Sequence, residues 1–295
     1  MEIKKILKNL ECIVDANGPT INEYVEFTKM LNLIGEKIKK GEVNQDAILK
    51  IKLKCQCLKD KDSFLGHVLA KPFGYAGDFQ TIDRIYTHHT SDKAVIWDNY
   101  IQSSSACKAV RNRKEYFKEN VVQNLQTGSL LNIASGPGRD LFELFNENPT
   151  LKINCTCVEM DMQAIEYAQK LNKDYLPYIE FIQKNIFRFQ TDKKFNLIWS
   201  SGLFDYFDDK AFVLLLKRFK GWLKKDGEII IGNFNENYNP TRTLMEFFGE
   251  WYLNHRTEEQ LRSLAKIAGF SVENTYVGHE PENVNLFLHL KNKTV

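Results

Sequence analysis

The sequence predicts an α/β fold: a largely parallel, doubly wound sheet preceded by an all-helical region. Three observations carry this expectation. From Ser129 onward, short apolar runs alternate with amphipathic helical stretches, the pattern of strand–helix–strand crossovers. The first run, Leu130-Leu131-Asn132-Ile133-Ala134, meets the tight turn Ser135-Gly136-Pro137-Gly138 and then a helix carrying Leu141, Leu144 and Phe145. Residues 1 to about 126, in contrast, show helical spacing and no clear strand.

The elements follow in order. Ile3, Ile6, Leu7, Leu10 and Val14 form one apolar stripe of a first helix. Pro19-Thr20-x-x-Glu23 reads as a capping box opening a second, with the stripe Ile21, Tyr24, Leu31, Ile34 and Ile38 and an end at Gly41. Ile48, Ile51, Cys55 and Leu58 suggest a third. The run from Lys71 to Asp78 contains a proline and two glycines, which break any helix. A long helix then runs through Val110, Phe117 and Val121 to Thr127-Gly128. Strands are expected at about 129–134, 153–159, 179–183, 195–200 and 228–234, with helices between them and right-handed crossovers. A helix at about 257–268 precedes two final strands, about 270–278 and 284–290, too close together for a helical crossover and therefore antiparallel.

Composition narrows the function. The net charge is +2, so no strong field invites nucleic acid or an acidic membrane surface. Hydrophobic content of 43% suffices for a core, and no apolar run approaches the ~18 residues of a membrane span. Cys12, Cys55, Cys57, Cys107, Cys155 and Cys157 form no Cys-x-x-Cys, and no zinc spacing appears, so no metal is expected. Reduced thiols fit a cytoplasmic location, and Met1-Glu2-Ile3-Lys4-Lys5 lacks the continuous apolar stretch of a signal peptide.

Ligands of open parallel sheets sit beyond the carboxyl ends of the strands. Four such ends supply a matching set. Ser135, Gly136 and Gly138 let backbone N–H groups reach a ligand at a helix N-terminus. Glu159, with Met160 and Asp161, ends the second run about twenty residues later, where a carboxylate accepts both ribose hydroxyls and disfavours a 2′-phosphate. Asn185 is placed to read an adenine edge while Ile186 packs on the ring. Ser200 and Ser201, before Gly202-Leu203, line the reacting centre. Each feature alone has an ordinary structural explanation; their order and spacing together point to a nucleoside ligand.

With these residues in place, the segment from about 105 to 291 resembles a class I S-adenosylmethionine-dependent methyltransferase domain, with its Gly-x-Gly turn, acid, polar residue and late antiparallel strand. Lys224-Lys225-Asp226-Gly227-Glu228 is similar to that family's turn before strand five; Asp140 stands where a third glycine is common. The resemblance implies a Rossmann-like seven-stranded sheet with S-adenosyl-L-methionine as cofactor. A narrower resemblance spans nearly the whole chain. Lys71-Pro72-Phe73-Gly74-Tyr75-Ala76-Gly77-Asp78, Ala109-Val110-Arg111-Asn112-Arg113, Ser201-Gly202-Leu203-Phe204-Asp205-Tyr206, Gly232-Asn233-Phe234, Trp251-Tyr252-Leu253, His255-Arg256-Thr257 and Glu280-Pro281 are similar to a bacterial group of extracellular-factor 3-hydroxypalmitic acid methyl ester biosynthesis proteins. That likeness implies carboxyl O-methylation of a fatty acid or similar acid.

Methyl transfer requires alignment and exclusion of water. Residues 1–126 are therefore expected to form a helical cap or substrate domain. Residues 127–295 form the cofactor-binding domain, with a lid insertion at about 235–256. Tyr75, Asn233 just before that insertion, and Arg242, Trp251, Tyr252 and Arg256 within it are substrate-contact candidates, the arginines as carboxylate clamps or as ion-pair partners. His255 is a base or a structural histidine, and Tyr75 and Tyr206 are the other catalytic candidates. Asp78 caps the next helix or acts as a base; Asp205 starts a helix or serves the site. Arg113 holds the cofactor's methionine carboxylate or makes an internal ion pair. The expected partner is a small-molecule acceptor, with no nucleic acid and no membrane, and the chain a monomer or homodimer. The competing enzyme reading is a lyase or cyclase acting on the cofactor's own aminobutyl arm. Nucleic-acid methylation is disfavoured because Ser201-Gly202-Leu203-Phe204 is not the Asp/Asn-Pro-Pro-aromatic turn of amine-directed enzymes, and a non-catalytic scaffold because the site residues are all present.

Overall fold

The computed structural model describes residues 2–292. The chain forms two compact units, Met1–Val110 with Asn239–Tyr252, and Arg111–Tyr238 with Leu253–Val295.

The first unit is helical. It contains α1 (Glu2–Asp15), α2 (Tyr24–Lys39), α3 (Gln45–Lys54), α4 (Phe64–Ala70), α5 (Phe79–Tyr86), α6 (Val95–Ser103) and the start of α7 (Ser105–Asn124). The stripe of α1 turns inward at Leu10 and Val14. On α2 the buried face is Phe27, Leu31 and Ile34; Ile21 is 79% exposed, because the chain there is still a short 3₁₀ turn before the helix proper. Glu23 does reach back to the Thr20 N–H at 2.8 Å. α3 stops at Lys54, so Cys55 and Leu58 fall beyond the expected helix, in an extended residue and a 3₁₀ turn. The later α11 (Arg242–Gly249) belongs to this unit. Its Phe248 meets Trp97 at 5.4 Å between ring centroids, and Trp97 meets Phe27 at 5.7 Å. Phe247, Phe248 and Trp251 are buried, so burial in this core accounts for most of the aromatics between Phe234 and Tyr252.

The second unit is a three-layer α/β sandwich. Its strands are β1 (Thr127–Ile133), β2 (Lys152–Glu159), β3 (Ile179–Gln183), β4 (Phe195–Ser200), β5 (Leu223–Phe234), β6 (Thr275–His279) and β7 (Asn285–Lys291). The order is β3-β2-β1-β4-β5-β7-β6. The first five are parallel, and β7 runs antiparallel to both β5 and β6. Helices α8 (Arg139–Glu147), α9 (Met162–Leu171), α10 (Asp209–Trp222) and α12 (Glu258–Ile267) complete it. One face packs Ile198, Ile229 and Leu288 against Phe212, Phe219 and Leu261; the other packs Leu130, Trp199 and Phe287 against Phe117, Val121 and Leu144. Central strands buried on both faces explain why their sequences read as continuous apolar runs.

Two boundaries differ from expectation. β6 begins at Thr275, because Phe270 goes into the core and Ser271–Thr275 make consecutive turns (Asn274 N–H to Ser271 O, Thr275 N–H to Val272 O). β5 begins at Leu223, beside Phe195, and bulges before its regular pairing at Glu228. Among the described residues, no helix is long and apolar enough to cross a membrane.

The strand order reverses between β2-β1 and β4-β5. The carboxyl ends of β1 and β4 therefore flank the crevice at which open α/β sheets hold ligands.

Candidate functional site

β1 ends in an unusual backbone. Ala134, Gly136 and Gly138 all take positive φ, 54°, 54° and 65°. At Gly138 a side chain would meet Ala168 Cβ and Asn172 Nδ2, each at 3.1 Å, so the turn closes tightly onto α9. At Gly136 a Cβ would meet nothing within 4 Å. The turn is packed on one side and open over its first glycine.

Glu159 ends β2 beneath that turn. One carboxylate oxygen accepts the Gly136 N–H at 3.0 Å; the other accepts Met160 N–H at 2.7 Å and Asp161 N–H at 3.0 Å. Burial raises its pKa, and these three donors work against that rise. A carboxylate offers about four acceptor sites, so one remains for a ligand hydroxyl. Asn185 Nδ2 lies 3.4 Å from Met160 Sδ, and Asn185 Oδ1 accepts Phe187 N–H at 2.9 Å. Ile186 is buried among core residues, its carbonyl accepting from Arg218 Nη1 at 3.2 Å. The structure thus gathers Gly136, Glu159, Met160 and Asn185.

Arg113 of α7 is buried, and its Nη1 donates to the Ser201 carbonyl at 3.1 Å. Its guanidinium lies over Gly202, where an added Cβ would stand 3.1 Å from Nη1. Its Nε is buried without a hydrogen-bond partner, and the buried Ser135 side chain bonds the Cys157 thiol. An orphaned guanidinium N–H beside the crevice fits a polar ligand. Ser200 serves differently from the expectation of direct cofactor contact. It is fully buried, and its Oγ donates to the Ile133 carbonyl at 3.1 Å, tying β4 to β1.

Of two acids beside Arg113, the sequence leaves Asp205 as a helix start or a site residue, and Asp140 escapes the sequence reading as a site residue. Asp140 accepts Leu141 N–H at 2.9 Å, and burial pushes its pKa up to about 6, with the Arg113 charge opposing. Asp205 starts no long helix. It lies in the turn Phe204–Tyr206, and Asp208 caps the next helix by accepting Ala211 N–H. Burial pushes Asp205 up to about 7, while Phe234 N–H and the charges of Arg113 and Arg256 oppose the rise. The only signal at Asp140 was its place in the first turn of α8, where a third glycine is common.

Arg256 is not available to clamp a substrate carboxylate. Nε and Nη2 bond Asp209 Oδ1, Nη2 also bonds Phe207 O, and Nη1 bonds Phe204 O and Asn233 Oδ1, at 2.6–3.2 Å. All five guanidinium hydrogens are spent inside the domain. Asn233 is fully buried and gives its Nδ2 to Phe234 O and Asn254 O, both at 3.0 Å, so it too is internal rather than substrate-facing. His255 Nδ1 lies 3.1 Å from Leu253 O. A carbonyl can only accept, so Nδ1 carries a proton. Tyr206 is 39% exposed.

Tyr75, Arg242, Trp251 and Tyr252 belong to the helical unit. Tyr75 lies in the turn after Gly74, whose φ is 91°. Asp78 is the helix cap: Oδ1 accepts Thr81 N–H at 2.7 Å, and both oxygens lie 3.1 Å from His67 Nε2. Arg242 Nε donates to Glu246 at 2.7 Å, the ion-pair alternative. Tyr252 is 65% exposed.

A family model of the methyltransferase domain matches residues 126–279, more than half of the chain. The chain belongs to that methyltransferase family. It is an enzyme, and S-adenosylmethionine is its methyl donor. No curated protein matches it. Among solved structures it is similar to a possible exported protein from Bordetella parapertussis, with TM-score 0.65 and 18% identity over 78% of this chain and 86% of that one. It is also similar to magnesium protoporphyrin IX methyltransferase from Synechocystis PCC 6803 with bound S-adenosylhomocysteine, with TM-score 0.54 and 11% identity over 73% and 95%. The methyltransferase SibL in its apo form matches with TM-score 0.53 and 11% identity over 88% and 77%. At these identities the likeness speaks for the fold: a class I methyltransferase sheet.

Proposed function

We propose that this methyltransferase acts on a small molecule, methylating a carboxyl oxygen of a hydroxy fatty acid or similar acid. The observation that carries the donor half is Glu159, held beneath the turn at Gly136 with open space above that glycine. Glu159 takes a ribose hydroxyl; Met160, Asn185 and Ile186 flank the adenine. Gly136, Gly138, Ser135 and Ser201 line the methionine arm, and Arg113 takes its carboxylate, as the orphaned Nε suits. When bound, the sulfonium supplies an electrophilic methyl group to an acceptor in line with it.

The acceptor half rests on fewer residues. In a site that excludes water an acid holds its proton more tightly, and His255 is the candidate base that takes it at transfer. Tyr206 is the second acceptor-side candidate; Tyr75, Arg242, Trp251 and Tyr252 are tested with it by substitution. A small acceptor agrees with the net charge of +2 and with the Synechocystis protein, whose name specifies a magnesium porphyrin.

The test incubates the purified chain with S-adenosylmethionine and a panel of hydroxy and simple fatty acids, read by mass spectrometry. Methyl ester and adenosylhomocysteine appearing together support the proposal. Methylthioadenosine formed without any acid would instead establish cleavage of the donor's own arm.

A further inference from the structure

The turn before β7 is pinned by one buried acid. Glu280 Oε1 accepts Val284 N–H at 2.8 Å and Asn285 N–H at 3.0 Å. Its Oε2 accepts Glu282 N–H at 2.7 Å and Asn112 Nδ2 at 2.9 Å. Asn235 fastens the same turn to the end of β5, its N–H donating to Val284 O at 2.8 Å and its Nδ2 to Asn283 O at 3.0 Å. Asn285 is the exception in this bonded frame. It is fully buried, and both polar atoms of its amide, Oδ1 and Nδ2, lack hydrogen-bond partners.

We propose that Asn285 is a specificity-determining residue of the acceptor site. Its Nδ2 donates to an oxygen of the acceptor's carboxyl group, and its Oδ1 accepts an O–H or N–H that the acceptor carries beside that group. This rests on the carboxyl-methylation reading above and sharpens the acceptor to an acid with a neighbouring hydrogen-bond donor.

Strand register places Asn285 at the reacting end of the sheet. It pairs with Phe234, the last residue of β5, while Phe287, two residues on and on the same face, pairs with Gly232. That is the face covered by α7: Phe287 packs with Phe117 and Trp199 and stacks on Tyr116 at 4.0 Å, whereas Leu286 and Leu288 go to the other face. Gly232 in turn abuts the end of β4. A Cβ there would stand 2.5 Å from the Ser201 carbonyl oxygen, the atom that accepts from Arg113 Nη1 at 3.1 Å. Gly232 and Ser201 thus separate Asn285 from the guanidinium assigned to the donor. β5 and β7 lie on the far side of β4 from β1 and β2, where the ribose and adenine are placed, so Asn285 is on the acceptor side.

A buried amide with neither end bonded carries the full desolvation penalty of a donor and an acceptor. An apolar side chain of similar size would remove that penalty, so packing alone gives no reason for an asparagine here. A ligand that bonds both ends does. The amide also sets the ligand's pattern. It presents C=O and N–H side by side, and its complement carries a donor and an acceptor side by side. A plain carboxylate satisfies Nδ2 alone and turns a lone pair toward Oδ1. A hydroxy acid or an N-acyl amino acid satisfies both. The analogue without the O–H or N–H strands the buried Oδ1, which is how such sites discriminate.

The experiment compares wild type with Asn285→Val, an apolar, β-branched replacement suited to a strand. The full chain is given S-adenosylmethionine and 2-hydroxy, 3-hydroxy or N-acylamino acids, each beside the plain acid of equal chain length, and kcat/KM for ester formation is measured. In wild type the best donor-bearing acid should exceed its plain counterpart roughly tenfold or more, and Asn285→Val should bring that ratio to about threefold or less. Adenosylhomocysteine affinity should stay within about twofold, a difference of roughly 0.4 kcal/mol. A ratio unchanged in the variant overturns the proposal, as does a wild type that esterifies both members of each pair equally. A loss of adenosylhomocysteine affinity beyond about tenfold would put Asn285 in the donor site and overturns it too. If Asn285→Val does not fold, Asn285→Ala, which adds no bulk, is read for the same ratio. The underlying reading fails separately: if wild type forms no ester from any acid, carboxyl methylation falls and the proposal with it, whereas ester formed without discrimination overturns the proposal alone.

Discussion

The Glu159 carboxylate accepts the Gly136 N–H at 3.0 Å, so the acid after β2 and the turn after β1 are joined before any ligand enters. A ribose hydroxyl arriving at Glu159 meets a carboxylate already fixed by three backbone donors. Its orientation therefore costs little to set on binding.

The two glycines of this turn should separate stability from binding. Gly138→Ala places a methyl group 3.1 Å from Ala168 Cβ in a left-handed backbone, which should cost roughly 2–3 kcal/mol of stability. Gly136→Ala is also left-handed but meets no neighbour, so about 1 kcal/mol is expected. Its methyl group would fill the space proposed for the donor. Urea unfolding with calorimetry on adenosylhomocysteine should show Gly138→Ala hurting stability more and Gly136→Ala hurting affinity more.

Gly202→Ala should act through Arg113. The new Cβ would stand 3.1 Å from Nη1, 3.4 Å from Nη2 and 3.5 Å from Cζ, so the guanidinium must give way by a few tenths of an ångström beside the Ser201 carbonyl. The expected result is at least a fivefold loss of adenosylhomocysteine affinity, on the order of 1 kcal/mol, with a melting temperature close to wild type. Unchanged affinity would remove Arg113 from the donor site.

Much of this was legible in the sequence, for a physical reason. Parallel strands buried on both faces leave unmistakable apolar runs, and the left-handed turn at Gly136 and Gly138 demands glycine. What escaped was decided by long-range partners. Ser200, Asn233 and Arg256 look like site residues in a linear reading because they follow strands or flank aromatics. Their polar atoms are instead spent on Ile133, Asn254 and Asp209, partners 67, 21 and 47 residues away. For Asp205 the sequence left two roles open, and its partners Phe234 and Asn254 come from elements that only the fold brings to it. Ile21 read as core because helical spacing continues through a turn that is not yet α-helix.

Asp205 should also govern stability against pH. Burial holds its carboxyl at about 7, above the ordinary carboxylate value of about 4. Between those values the folded chain keeps a proton that the unfolded chain has released. Stability is therefore greatest below about pH 4 as far as this group is concerned, and it falls as pH rises to 7, by roughly 4 kcal/mol at most. Melting curves from pH 5 to 8 should decline for wild type and flatten for Asp205→Asn.

Arg256→Ala should destabilise the catalytic unit. It strips partners from the buried Asn233 Oδ1 and from the Phe204 and Phe207 carbonyls, at a cost of roughly 2–4 kcal/mol. Arg256→Lys, with one point donor group in place of a planar fork, should recover only part of this. Chemical denaturation midpoints decide it; a midpoint unchanged in Arg256→Ala would mean the guanidinium network is not structural.

The central claim is that the donor binds at the carboxyl ends of β1, β2 and β4, with its ribose on Glu159. The direct measurement is titration calorimetry of adenosylhomocysteine into the full chain and its Glu159→Ala variant. The account predicts saturable one-to-one binding to the wild type and at least a tenfold weaker Kd in the variant, about 1.4 kcal/mol or more. No binding to the wild type, or equal affinity in both, would contradict it.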